Sequence, residues 1–168
     1  LFNILNKQTC KENGEPYSVF TPFRNHVLKN LKVPEVDKFI FKNKDYFVKN
    51  KELESNKYYI DEKEIDNFYE YNENANIRGG RKNGLKILKK LDQFKDYSEQ
   101  RDLLSYKTTF LAAHNHFGTV SIREVYYAMK DKLKSKSEGL INELCWRDFY
   151  YNLFYNNPHM LKGQISKH

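Results

Sequence analysis

The chain has 168 residues, of which 29 are basic and 22 acidic, for a formal net charge of +7, with 39% hydrophobic and 15% aromatic residues. That length suits one domain and is short for two; the aromatic content argues against full disorder, and a mean hydropathy of −0.85 implies a modest core. The longest apolar runs, such as Phe110 to Ala113, fall far below the ~20 residues of a membrane helix, and the two distant cysteines, Cys10 and Cys145, make neither a disulfide framework nor a zinc cluster.

In chain order, residues 1–26 place Gly14, Pro16 and Pro22 around Tyr17-Ser18-Val19-Phe20, which reads as turn, short extended piece, turn. Residues 27–76 read as irregular. Val27 to Leu31 can begin a helix, Val33-Pro34 pushes the chain towards extended geometry, and Tyr58-Tyr59-Ile60 is a candidate strand. A connection of this length without structure is expected to be an interdomain linker or a lid. From Gly79-Gly80 the pattern changes. Asn83 is a candidate helix cap, and Leu85, Leu88, Leu91 and Phe94 recur at helical spacing through about Lys95. Residues 96–107 read as loop, and Thr108 to Phe117 as a mixed segment ended by Gly118. Ser121-Ile122-Arg123-Glu124 is a capping box, followed by Ile122, Val125, Tyr126 and Met129 on one face. Ser135 to Ser137 interrupt, and a last helix is expected from about Glu138 to Tyr155, stopped before Pro158.

Charge is unevenly placed: net +4 over residues 1–50, −5 over 51–76 and +8 over 77–168. The basic half is either a solvated lysine-rich face or a surface for phosphates, and charge alone does not choose. The N-terminus lacks the basic region and apolar stretch of a signal peptide, and the use of only two distant cysteines leads to the expectation of a reducing, cytosolic or nuclear setting. The first residue is Leu1, which suggests a processed product or a piece of something longer.

On the last helix, Glu143, Trp146, Arg147, Tyr150 and Phe154 share one face, while Leu140, Leu144 and Leu153 line another with Ile141 and Cys145 beside them. A stripe of Glu, Trp, Arg and Tyr is too aromatic for solvent and too charged for a plain core. It is either an amphipathic helix with a Glu–Arg pair and Trp packing nearby, or a pocket wall. Such a wall offers a flat stacking surface, a cation for phosphate and a carboxylate for polar base edges. Lys107-Thr108-Thr109-Phe110-Leu111 is a weaker candidate. Its two hydroxyls and backbone N–H groups can hold a phosphate or simply bond their own turn. His114 and His116 alternate without nearby cysteines and make a poor metal site.

Taken together, these segments resemble the photolyase/cryptochrome family of flavoproteins. Tyr17-Ser18-Val19-Phe20-Thr21-Pro22-Phe23 is similar to the sequence that closes the family's antenna domain. Gly79-Gly80, the leucine-periodic helix, Asp96-Tyr97 and Arg101-Asp102 resemble the entry to its FAD-binding domain. Thr108 to Leu111, with His116-Phe117-Gly118-Thr119-Val120-Ser121, resembles the Thr-Ser-Arg-Leu-Ser segment and its downstream Phe-Gly-x-x-Ser. Asn142 to Tyr150 resembles the Glu-Leu-x-Trp-Arg-Glu-Phe-Tyr helix.

The resemblance implies a mainly α fold: the first part of the helical FAD-binding domain of the photolyase/cryptochrome fold, preceded by an irregular linker. Residues 1–26 would end the α/β antenna domain, 27–78 would form the linker, and 79–168 would be the N-terminal portion of the FAD-binding domain. It implies that Tyr97 contacts the FAD phosphates, that Thr108, Thr109, Phe110, Leu111 and Ala112 wrap the cofactor, and that Arg147 meets the FAD side of the pocket. It places Arg101 on the DNA backbone, and Glu143, Trp146 and Tyr150 at a flipped pyrimidine dimer, with Trp146 stacking and Glu143 bonding a base edge. No residue is assigned as a catalytic group or metal ligand, because the cofactor carries the chemistry. The implied reaction is light-driven splitting of cyclobutane pyrimidine dimers in damaged DNA, towards which Glu143 leans the reading over (6-4) photoproducts. The match runs over residues 12–160 and corresponds to the middle of a family member, so a second chain carrying the C-terminal part of the fold is an expected partner. A basic DNA-binding module without flavin chemistry, a cryptochrome-like photoreceptor fragment and an inactive split-gene remnant are the competing readings.

Overall fold

Thr21-Pro22 follows an extended Val19, which sets the proline in the first turn of a helix, where its missing N–H costs nothing. In the computed structural model, described for residues 7–36 and 50–163, that helix is α1 (Phe20–Asn30). It corrects the expected extended piece and turn. Phe23 and Val27 lie one turn apart and are fully buried, so burial of this stripe, rather than a side-chain cap, holds the helix. The remaining helices are α2 (Asn50–Glu54), α3 (Glu62–Ile65), α4 (Arg81–Lys89), α5 (Tyr97–Gln100), α6 (Leu111–His116), α7 (Ile122–Leu133) and α8 (Glu138–Asn156). The fold is mainly helical, with no strand among the described residues. No helix among them is long and apolar enough to cross a membrane. Residues 37–49 of the expected linker, and both chain ends, lie outside the described residues.

The chain divides into two compact units, Leu1–Val36 with Gly79–His168, and Asp37–Arg78. In the second, α2 and α3 are short, and Tyr58, Phe68 and Tyr71 are exposed. Tyr58-Tyr59-Ile60 is not the expected strand. The Asn56 side chain accepts from the Tyr58 N–H at 2.9 Å, and the Asn56 carbonyl accepts from the Tyr59 N–H at 2.9 Å. These bonds close a turn and take the donors a strand would need.

In the first unit the core gathers Phe23 and Val27 of α1, Leu88 of α4, Val125, Met129 and Leu133 of α7, and Leu140, Ile141, Leu144, Cys145 and Phe149 of α8. The leucine-periodic helix breaks at Lys90, and a 3-10 turn, Leu91–Phe94, follows it. Leu85, Leu88, Leu91 and Phe94 are spaced by three throughout; an α-helix would rotate the later members off the core, whereas three residues per turn keep them aligned. Gly80, at φ 85°, begins α4 in place of the expected cap Asn83, whose side-chain amide instead donates to the Gly79 carbonyl at 2.8 Å. The expected loop at 96–107 contains α5, and His114 and His116 sit on α6.

Two expectations hold closely. Ser121 caps α7: its hydroxyl accepts from the Arg123 N–H at 3.3 Å, while Glu124 accepts from the Ser121 N–H at 2.9 Å. Arg81 of α4 then grips the same Glu124 carboxylate with two donors, at 2.7 and 3.0 Å. The last helix spans Glu138–Asn156, entered through a 3-10 turn at Lys134–Ser137 and left at Asn157 before Pro158.

Candidate functional site

α8 buries Leu140, Ile141, Leu144, Cys145, Asp148, Phe149 and Asn152. The opposite side therefore carries Glu143, Trp146, Arg147 and Tyr150, and Tyr150 is 49% exposed. Two groups of contacts organise this face.

The first is polar. Tyr97 opens α5 and is buried; Arg101 follows the helix and donates to the Glu143 carboxylate at 3.0 Å. The Tyr97 hydroxyl lies against both. Burial, then the Glu143 charge, hold its phenol above the ordinary tyrosine range. Three residues assigned separately on sequence grounds thus converge, and Glu143 pairs with Arg101 rather than with Arg147.

The second is aromatic. Phe20 of α1 lies flat on Trp146, ring centroids 3.6 Å apart and planes 6° apart. Tyr150 stacks obliquely on Trp146 at 5.6 Å and 25°, and Phe154 continues the ladder from Tyr150 at 6.5 Å. Phe149 meets Trp146 edge-on at 5.8 Å. Arg24, one turn after Phe20, donates through Nε to the Asn142 side chain at 2.9 Å and pairs with Glu138, clamping α1 to α8. Phe20 and Arg24 are absent from the sequence-derived site. Their partners lie more than a hundred residues away, so local spacing carries no signal for them.

Arg147 is turned to neighbours on its own helix. It donates to Asp148 at 3.1 Å and lies over the Tyr151 ring at 4.7 Å. Asp148 is 1% exposed, so this cation compensates a buried carboxylate.

The Thr108 to Ala112 segment enters α6. Thr108 and Thr109 are half-buried, Leu111 is buried, and Phe110 and Ala112 are exposed. The Thr109 hydroxyl accepts from the Leu111 N–H at 3.3 Å, a local turn bond. Phe110 sits in the left-handed region at φ 54°, a conformation costing a non-glycine residue roughly 1–2 kcal/mol. Around this segment three buried polar atoms have no protein partner: the Tyr106 hydroxyl, His114 Nε2 and Asn115 Oδ1. His114 is 2% exposed, and its Nδ1 is engaged by the Thr119 hydroxyl at 2.7 Å. An orphaned buried polar atom costs about 1–3 kcal/mol, a cost that a bound polar group removes. A segment with spare buried donors and acceptors, half-buried threonines and a strained backbone fits a polar, phosphate-bearing cofactor. No group of His, Cys, Asp and Glu able to hold a metal occurs among the described residues.

The chain is 32% identical over 84 residues to a deoxyribodipyrimidine photo-lyase of Streptomyces griseus; the match covers 48% of this chain and 18% of that protein. The likeness thus spans less than a fifth of the relative's length. No family model matches, and no solved structure does.

Proposed function

We propose that the chain is part of a photolyase-like DNA repair protein whose α8 outer face receives a damaged nucleotide beside FAD. The observation that carries this reading is the convergence of Arg101, Tyr97 and Glu143 beside the Trp146–Tyr150 stack. An aromatic plane, a cation and an acceptor on adjoining turns are the three elements an extruded base needs. Trp146 offers stacking, worth roughly 1–3 kcal/mol per base. Glu143 accepts from base N–H groups, and Arg101 answers a phosphate. Tyr97, Thr108, Thr109, Phe110, Leu111 and Ala112 would hold the cofactor, with Tyr106, His114 and Asn115 adding polar contacts, and Arg147 on its flank. When bound, FAD supplies the light-driven electron transfer that splits a cyclobutane pyrimidine dimer; this chain's residues bind, orient and exclude water. The domain reading goes with it: residues 79–168 as the start of the cofactor domain, completed by residues supplied elsewhere, a second chain included.

The test is incubation of the purified chain with FAD, gel filtration and a visible absorption spectrum. A retained flavin band is expected. Salt-dependent DNA binding without a flavin band favours the second reading, a basic DNA-binding module, for which the +8 charge of residues 77–168 speaks.

A further inference from the structure

We propose that Phe20 is a positioning residue for Trp146: it seals one face of the indole and fixes its plane, so that a ligand base stacks only from the opposite, Tyr150-flanked side. This rests on the α8 face being a nucleotide site.

The contact itself points this way. Aromatic pairs favour offset or edge-to-face arrangements with centroids 4.5–7 Å apart, because face-to-face rings oppose like quadrupoles. Phe20 and Trp146 adopt the disfavoured arrangement, at 3.6 Å and 6°. Ring electrostatics do not produce it; the docking of α1 on α8 imposes it. The restraints surround the pair. Phe149 meets both rings edge-on, at 5.9 Å from Phe20 and 5.8 Å from Trp146. Phe23, fully buried, packs on Phe149 at 5.6 Å. Arg24 ties the next turn of α1 to Asn142 and Glu138. Phe20 therefore belongs to the fixed side. Tyr150 is 49% exposed, and its contact with Trp146 is longer and tilted. It is the ring that yields when a base enters. An indole held in one plane before binding loses less freedom on binding, which is the benefit of preorganisation.

Trp146 is the single tryptophan of the chain, so its emission reports this site alone. The decisive variant is Phe20→Leu, which keeps apolar volume but removes the flat ring; Phe20→Tyr restores the plane. The measurements are acrylamide quenching of Trp146 without ligand, and affinity for a thymine-dimer oligonucleotide. Phe20→Leu is expected to raise quenching and weaken affinity about fivefold, with Phe20→Tyr matching the parent in both. Higher affinity in Phe20→Leu would overturn the proposal by making Phe20 a plug on the ligand's own face. Unchanged affinity despite freer quenching, or unchanged quenching, would overturn it too. Failure of the parent chain to prefer the dimer oligonucleotide over an undamaged one overturns the nucleotide-site reading itself. That failure is distinguishable, because the quenching comparison uses no ligand.

Discussion

Arg101 and Glu143, forty-two positions apart, meet at 3.0 Å where the end of α5 crosses the outer face of α8. Both side chains are nearly half exposed, so water screens the pair and it adds little to stability. On the proposed reading, Glu143 would accept from a base and Arg101 would answer a phosphate, so a bound nucleotide would exchange their mutual contact for two of its own. Arg101→Ala should therefore leave the melting temperature nearly unchanged while weakening DNA binding. The slope of log affinity against log salt should fall by about one. Titrations by fluorescence anisotropy at several salt concentrations check this. A large loss of melting temperature would mean the pair is structural instead.

Glu124 links two elements, accepting from the Ser121 N–H that starts α7 and from both Arg81 donors on α4. The hydrogen bond from Arg81 is the main cause of its lowered carboxyl pKa. A carboxyl with a depressed folded pKa contributes stability above its unfolded pKa and loses it as pH falls through the folded value. Glu124→Ala should cost about 1 kcal/mol at neutral pH, the usual net worth of a lost intramolecular hydrogen bond. The difference from the parent should narrow in acid, as followed by urea denaturation between neutral pH and pH 3.

Cys145 is fully buried, and burial is the main reason its thiol is pushed up to about 12. A raised folded pKa means the associated stability is intact below the unfolded thiol value of 9.0 and is lost as pH rises from there towards 12. Tyr97 and Tyr126, raised chiefly by burial, act in the same direction. Thermal stability should decline above pH 9, less steeply in Cys145→Ala. At neutral pH a thiol reagent should label half-buried Cys10 first and reach Cys145 only on unfolding, countable by mass spectrometry.

Gly84 is the contact point between α4 and the turn after α6. A Cβ there would stand 2.7 Å from Val120 Cγ1 and 3.1 Å from His114 Nδ1. Val120 is 1% exposed and His114 is bonded to Thr119, so neither yields easily. Gly84→Ala, stabilising in a free helix, should here destabilise by roughly 1–3 kcal/mol, visible in the melting curve.

The helices legible in the sequence were those whose ends carry their own chemistry. α7 announces itself through Ser121 and Glu124, and α8 through an apolar stripe bounded by Ser137 and Pro158. α1 escaped because Pro22 reads as a turn signal, although a first helical turn accepts it; only the burial of Phe23 and Val27 makes the segment helical. The site was half legible. Glu143, Trp146 and Tyr150 share a face by helical spacing alone, and that face is indeed the accessible one. The partners of those residues, Arg101 for Glu143 and Phe20 for Trp146, come from tertiary docking, which no local period encodes. Arg147 shows the converse: the stripe includes it by spacing, yet the buried Asp148 beside it claims its charge.

On the proposed function, the outer face of α8 recognises a damaged, extruded nucleotide. The most direct measurement follows Trp146 emission while the chain is titrated with an oligonucleotide carrying one thymine dimer, and separately with the same oligonucleotide undamaged. Quenching of Trp146 by the dimer is expected, with a preference for it of about tenfold or more, since a damaged pair is cheaper to extrude. Equal affinity for the two, with Trp146 emission unmoved, would contradict it.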